Sequence, residues 1–190
     1  LCIAALLTNC ANESVPQGGP QDADAPKTVK ISPPQKSLHF RATKIKLTFD
    51  EFLREGGFAQ TLISPPTEKR PEFHIEGRTL TVKFKSPLRD STTYTINFAD
   101  DIQDLNEGNK LSNFSYVFST GDYIDSEQIS GTVLIAKDNT PAKDVVVSLY
   151  SLDSSIAIRK SKPLYFAKTD AAGSFKIENI KKFIENEMAI

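Results

Sequence analysis

Four stretches of the chain place an apolar side chain at every second position, and this alternation constrains the fold more than any other feature. They are Lys44-Ile45-Lys46-Leu47-Thr48-Phe49, Thr79-Leu80-Thr81-Val82-Lys83-Phe84, Thr93-Tyr94-Thr95-Ile96-Asn97-Phe98 and Phe114-Ser115-Tyr116-Val117-Phe118-Ser119. A strand turns successive side chains to opposite faces, so each stretch makes one apolar and one polar face, whereas a helix would scatter the same residues around its axis. In the first stretch Ile45, Leu47 and Phe49 point inward and Lys44, Lys46 and Thr48 outward. Strands with a single apolar face need a second layer to cover it. Between them stand turn formers: Ser32-Pro33-Pro34, Gly56-Gly57, Ser64-Pro65-Pro66, Glu76-Gly77, Ser86-Pro87 and Glu107-Gly108-Asn109. Short strands separated in this way predict an antiparallel β-sandwich over residues 27–121.

The pattern resumes after a short break. Gln128-Ile129-Ser130-Gly131-Thr132-Val133 and Val145-Val146-Val147-Ser148-Leu149-Tyr150 read as strands, and Thr169-Asp170-Ala171-Ala172-Gly173-Ser174-Phe175-Lys176-Ile177 reads as a turn entering a third. A second β module over 127–190 is therefore expected, with the mixed tail from Phe183 to Ile190 as a short helix. The whole chain is all-β.

Composition removes other classes. A net charge of -1 offers no basic excess to hold a phosphate backbone, so nucleic acid is not an expected partner. With 39% hydrophobic residues, nearly balanced charges, and only 9 Gly and 11 Pro, the chain is neither disordered nor collagen-like.

The N-terminus reads as an address. Leu1-Cys2-Ile3-Ala4-Ala5-Leu6-Leu7 is apolar but far short of the ~20 residues that span a bilayer, and residue 1 is Leu, not Met. Leu7-Thr8-Asn9-Cys10, followed by the polar stretch 11–26, resembles a bacterial lipobox, with Asn9 where the pattern has a small residue. The resemblance implies that residues 1–10 are a signal-peptide remnant and that Cys10 carries the lipid. Residues 11–26 are then a flexible linker, and the membrane is a partner through that anchor. Beyond Cys10 there is no cysteine, so thiol catalysis, a zinc ribbon and a disulfide framework have no residues to work with.

Several of these motifs, in order, resemble a known family. Ser32-Pro33-Pro34, Ile45 to Glu51, Gly77-Arg78-Thr79-Leu80, Leu88 to Ile96, Ile102-Gln103-Asp104 with Gly108-Asn109, and Phe118-Ser119-Thr120-Gly121 are together similar to the bacterial Ig-like domain of the S-layer-protein type. Pro16-Gln17-Gly18-Gly19-Pro20 and the closing Ser119-Thr120-Gly121-Asp122 narrow the likeness to Ig-like lipoproteins of the Bacteroidota. The resemblance implies a tyrosine corner, with Leu88 six residues before Tyr94 and the Tyr94 hydroxyl bonded back to the preceding loop. An ordinary core tyrosine is the other reading. In the second module Ser130-Gly131-Thr132-Val133, Val147-Ser148-Leu149-Tyr150 and Thr169-Asp170 with Gly173 and Phe175 resemble the carboxypeptidase-regulatory-like (transthyretin-like) sandwich, an accessory domain and not the protease. That pattern departs after Ile180-Lys181-Lys182, so a truncated, partial second sandwich is expected, marginal in stability and prone to aggregation. Protease should remove residues beyond about 125 first.

The densest polar cluster is the run from Asp100 to Asn109. Asp100, Asp101, Asp104, Asn106 and Glu107 offer the oxygen ligands that calcium wants. Their spacing does not match the helix-flanked calcium loop, and a turn between strands favours Asp, Asn and Gly for backbone reasons alone, so a solvated turn is the first expectation. Asp50-Glu51 reads as a solvated strand end. His39 and His74 lack metal-ligand spacing, and no nucleophile elbow, P-loop or dinucleotide fingerprint is present, so no catalytic residue is assigned. Asp90-Ser91-Thr92 resembles an O-glycosylation sequon of Bacteroidota. The chain thus reads as a non-enzymatic, lipid-anchored envelope protein, at the outer membrane, whose Ig-like module is structural or binds an envelope protein. The alternative is a glycan-binding or accessory module of a surface polysaccharide-processing system. With no Trp and only five Tyr, an exposed aromatic platform for sugar is poorly supplied.

Overall fold

The expected alternation becomes seven strands in the first half. In the computed structural model, which describes residues 21–151, 163–182 and 188–189, these are β1 (Thr28–Ser32), β2 (Lys44–Phe49), β3 (Leu62–Ser64), β4 (Glu72–Glu76), β5 (Thr79–Lys83), β6 (Thr93–Asn97) and β7 (Ser115–Ser119). They form two antiparallel sheets, ordered β1-β2-β5-β4 and β3-β6-β7. The register sets apolar residues side by side: Ile45 opposite Val82 and Leu47 opposite Leu80 in one sheet, Tyr94 opposite Phe118 and Ile96 opposite Tyr116 in the other. Both inner faces join one buried cluster, which also takes in Phe40, Phe58, Phe98 and Ile102 from the connections. Phe118 sits at its centre with its ring centroid 4.1 Å from Phe40, 5.4 Å from Tyr94 and 5.7 Å from Phe84 and Tyr116.

Sheet edges are managed residue by residue. The segment 35–40 runs along the outer side of β7, where Lys36 N–H donates to Val117 O, Ser119 N–H to Ser37 O and Phe40 N–H to Ser119 O. The Gln35 side chain completes the edge, donating to Ser115 O and accepting from Val117 N–H. An unpaired edge is a template for unwanted pairing, and here it is closed by the chain's own backbone. The β4–β5 hairpin turns through Gly77-Arg78, with Gly77 at φ +59° and a negative φ at Arg78, the pattern of a type II′ turn.

The second half holds β8 (Glu127–Thr132), β9 (Val146–Ser151), β10 (Tyr165–Lys168), β11 (Ser174–Ile180) and β12 (Met188–Ala189), paired as β11-β8 and β10-β9-β12. Leu149, Tyr165, Ala167, Ile177 and Ile180 form its buried core. β12 corrects one expectation: Met188 and Ala189 lie opposite Ser151 and Tyr150 in a sheet rather than in a helix. Residues 183–187, the remainder of that helix, lie outside the described residues. Pairing decides here, since two residues gain backbone partners from β9 that a free turn of helix would lack. Among the described residues the chain is all-β.

The two halves touch. β10 lies near β3 and β11 near β6; Asn179 Nδ2 donates to Thr95 Oγ1 at 3.1 Å, Lys168 Nζ to Gln60 Oε1 at 3.3 Å, and in the connector Asp125 N–H donates to Thr93 Oγ1 at 2.8 Å. The second module therefore covers the outside of the β3-β6-β7 sheet, and among the described residues nothing packs on the outside of β1-β2-β5-β4.

Candidate interaction surface

Three connections meet at the end of the first sandwich where β2 stops: the stretch after Phe49, the β4–β5 turn and the long β6–β7 loop. The alternation of β2 continues past its last residue, so Leu53 turns inward and is buried while Phe52 turns outward and is 52% exposed. Phe52 lies over Gly77 at 3.5 Å from where a Cβ would stand, and the Arg78 guanidinium stacks on its ring at 5.0 Å. Beside it is Leu105, 50% exposed, whose N–H donates to Phe52 O. Arg54 reaches across to donate to Leu105 O at 3.3 Å. Two large apolar side chains framed by two arginines thus face solvent on neighbouring loops.

Asp104 holds this arrangement. Its carboxylate is buried, and Oδ1 accepts the N–H groups of Glu107 (2.7 Å) and Gly108 (2.9 Å) while Oδ2 accepts that of Asn109 (2.7 Å). Burial pushes the carboxyl up, but the N–H groups of Gly108, Asn109, Glu107 and Asn106 outweigh it and hold Asp104 below the usual carboxylate range. The charge is spent on folding its own loop. Glu51 shifts the other way: burial raises it, and the neighbouring Asp104 charge adds to the rise.

The remaining acidic candidates diverge. Asp101 Oδ2 accepts from Gln60 N–H at 2.9 Å and the Thr61 hydroxyl at 2.8 Å, pinning the start of β3. Asp100 Oδ1 accepts from the Ser112 hydroxyl, with Lys110 Nζ 3.8 Å from Oδ2. Asn106 and Glu107 are exposed at the loop tip. No three His, Cys, Asp or Glu side chains among the described residues come together as a metal-binding group.

Tyr94 is buried, and its hydroxyl accepts the Arg89 N–H at 2.9 Å, one residue after half-buried Leu88. Burial raises the hydroxyl's pKa and the Arg89 N–H partly opposes it. Both histidines are exposed: His39 Nδ1 lies 3.4 Å from Asp122 Oδ1, and His74 is on the outer face of β4. Asp50 Oδ1 accepts from Lys27 N–H, tying β1 to the end of β2. Ser91 is exposed with φ +46°, and the Thr92 hydroxyl donates to Asp90 O. Cys10 lies outside the described residues.

A second concavity lies between the modules. It encloses about 490 Å³ and is walled by Asn97, Asp100, Lys143, Asp144, Lys168 and Glu178 above a floor that includes Leu62 and Phe175. Lys168 Nζ is 3.0 Å from Asp144 Oδ1 across it, and that pairing lowers the Asp144 carboxyl. Four carboxylates and three lysines line it, and its polar residues outnumber its apolar ones.

Two facing antiparallel sheets of four and three strands, with their edge closed by the 35–40 strap, define an Ig-like β-sandwich. A family model described as bacterial Ig-like domain matches residues 22–120, just over half of the chain, and the chain belongs to that family. Members serve as structural or interaction modules rather than as catalysts. Two solved structures are similar in part. One is an L,D-transpeptidase from Mycobacterium smegmatis, at 11% identity over 75% of this chain and 73% of that one, with a TM-score of 0.35. The other is the N-terminal part of the bacterial S-layer protein SbsC, at 18% identity over 87% of this chain but 37% of that one, with a TM-score of 0.37. No curated protein matches the chain.

Proposed function

We propose that this chain is a non-enzymatic, lipid-anchored protein of the bacterial cell envelope whose first sandwich presents its Phe52–Leu105 loop end to an envelope protein. Cys10 carries the lipid, residues 11–26 are the tether, and the second module is a carboxypeptidase-regulatory-like accessory domain. The observation that supports the interaction role is the exposed Phe52 and Leu105 pair. A monomeric surface gains nothing from holding two large apolar side chains out on a loop fixed by a buried carboxylate, whereas a pre-organised apolar anchor lowers the ordering cost of binding. Arg54 and Arg78 beside the pair match the aromatic and arginine enrichment of interface centres. Membership in the bacterial Ig-like family agrees with a place in the envelope or outside the cell.

A photo-crosslinking residue at Phe52 in the native host tests the surface: a discrete adduct that disappears on Leu105→Asp is expected, and an unchanged adduct pattern removes the loop end from consideration. Fatty-acid labelling tests the anchor, with the label expected on the parent and absent from Cys10→Ala.

The polar cleft between the modules favours a second reading, binding of an uncharged oligosaccharide. Neutral glycans protecting Lys168 and Lys143 from acetylation would support it, and equal labelling with and without glycan would remove it.

A further inference from the structure

The outside of the β1-β2-β5-β4 sheet is a flat grid whose rows follow from the register. Lys30, Thr48, Thr79 and Glu76 lie in one row, Ser32, Lys46, Thr81 and His74 in the next, and Lys44, Lys83 and Glu72 in the third. Inner-face burial of Ile45, Leu47, Leu80 and Val82 fixes these residues to the outside. Lys85, two residues beyond β5, pairs with Glu72 at 2.6 Å. Among the described residues Lys30, Lys44, Lys46 and Lys83 make no ion pair. A chain of net charge -1 has thus gathered five lysines against two glutamates on one face.

Edge protection does not explain them. Lysines guard exposed strand edges, but β2 and β5 are the two interior strands of this sheet, and they carry Lys44, Lys46 and Lys83. Register sets Lys44 directly opposite Lys83, and like charges so placed cost stability. Among the described residues the face is also the uncovered one, since the second module packs on the other sheet.

We infer that this face lies on anionic lipid headgroups of the membrane that holds the anchor. The inference rests on the lipid-anchor reading of the proposed function for its geometry, while its chemistry stands on the lysines alone. The tether leads into β1, the edge strand of this very sheet, and even fully extended the link from Cys10 to Thr28 spans at most about 60 Å. The sandwich therefore stays close to the bilayer, where tethering gives an individually weak headgroup contact a high effective concentration. A planar array of ammonium groups fits a planar array of phosphates, each lysine adding a modest, salt-sensitive attraction. In that orientation the cleft between the modules and the second module face away from the membrane.

The test uses the full chain carrying Cys10→Ala, so that lipid insertion contributes nothing, and vesicles of phosphatidylcholine with and without phosphatidylglycerol. The parent is expected to sediment with the anionic vesicles only, and rising salt should release it. Affinity should fall about five-fold per lysine across K30Q, K44Q, K46Q and K83Q, whereas the four Lys→Arg changes together retain binding and show the face intact. Equal binding of the parent to neutral vesicles, or a quadruple glutamine variant that is folded and binds like the parent, overturns the inference. So does binding to soluble polyphosphate with no binding to vesicles. Because Cys10 is absent throughout, failure of the anchor is read separately by fatty-acid labelling.

Discussion

The two β modules are written in the same alternating pattern and reach different degrees of closure. The first buries 16 hydrophobic residues in one cluster, and its β7 edge is sealed by the 35–40 strap. The second gathers five in its cluster among the described residues, with Ala142 buried outside it, while both modules hold a few large apolar side chains out to solvent. Alternation therefore specifies a strand but not the stability of what it builds, which depends on how many inner faces meet. The second module draws support from the first through Asn179, Lys168 and the approach of β10 and β11 to β3 and β6. The first owes little in return, so dependence should run one way.

The strongest test of that asymmetry removes the centre of the larger core. Phe118 touches four aromatic rings and is fully buried. Phe118→Ala should cost about 3–5 kcal/mol in denaturant unfolding. Hydrogen exchange should then show lost protection in both modules; if β8 to β11 keep theirs, the second module stands alone and the one-way dependence is broken.

The converse change is Gly173→Ala. Gly173 has φ +72°, and an added Cβ would stand 2.5 Å from Val133 O, a backbone atom with nowhere to go. The turn is already committed, with Asp170 Oδ1 accepting the N–H groups of Ala172 and Ser174 and Gly173 O accepting that of Val133. A loss of about 2–3 kcal/mol confined to residues beyond 125 is expected, read as faster proteolysis there with an intact 22–120 fragment. Equal destabilisation of both halves would mean that they unfold as one unit.

Much of the first sandwich was legible because burial on one face imposes period two. Lys44–Phe49 is a strand over those very residues. What was not legible had weak or hidden periodicity: β3 is three residues long, and β1 is bulged between Thr28 and Lys30. Glu72-Phe73-His74-Ile75-Glu76 does alternate, but it holds only two apolar residues between Pro71 and the Gly77 turn, too short a run to stand out. In the second half β8 and the entry into β11 were readable from the Ser130-Gly131 run and the Thr-Asp and Gly turn, while Tyr165–Lys168 was not, because its apolar residues run consecutively. The loop end illustrates a different limit. Phe52 lies out of phase with Ile45, Leu47 and Phe49, and Leu53 lies in phase, so the outward turn of Phe52 was present in the pattern. The partnership with Leu105 was not, since only folding brings residue 105 to residue 52. Likewise Asp104 looked like one oxygen ligand among several until its loop closed on it.

That closure predicts acid sensitivity in the first module. Asp104 is held below the usual carboxylate range in the folded state, so its stabilisation is complete above the unfolded carboxylate value and is lost as pH falls through the folded one. Glu51, raised by burial and by Asp104, has the opposite sign: its ionised form is disfavoured in the fold, and protonation relieves it first. Asp104→Ala should cost about 2 kcal/mol near neutral pH, because three backbone N–H donors of the loop lose a charged acceptor. It should also flatten the stability profile below about pH 4. If the parent and the variant lose stability in parallel on acidification, other carboxylates carry the effect.

The smallest change separates the two readings of Tyr94. Tyr94→Phe keeps the ring stacked on Phe118 and removes only the oxygen that accepts the Arg89 N–H. If that bond ties the β5–β6 connection to the core as a tyrosine corner, the variant should lose about 1 kcal/mol, and exchange of the Arg89 amide should rise while that of β2 and β5 stays put. If Tyr94 matters only as a buried ring, the cost falls within about 0.5 kcal/mol and Arg89 exchange is unchanged. The hydroxyl's raised pKa gives an independent check, since burial should make this phenol resist ionisation even though the Arg89 N–H partly opposes the shift. The counterpart in the second module is Tyr165, buried with its hydroxyl accepting the Lys181 N–H at 3.2 Å, so Tyr165→Phe should raise exchange at Lys181 and leave Arg89 unchanged.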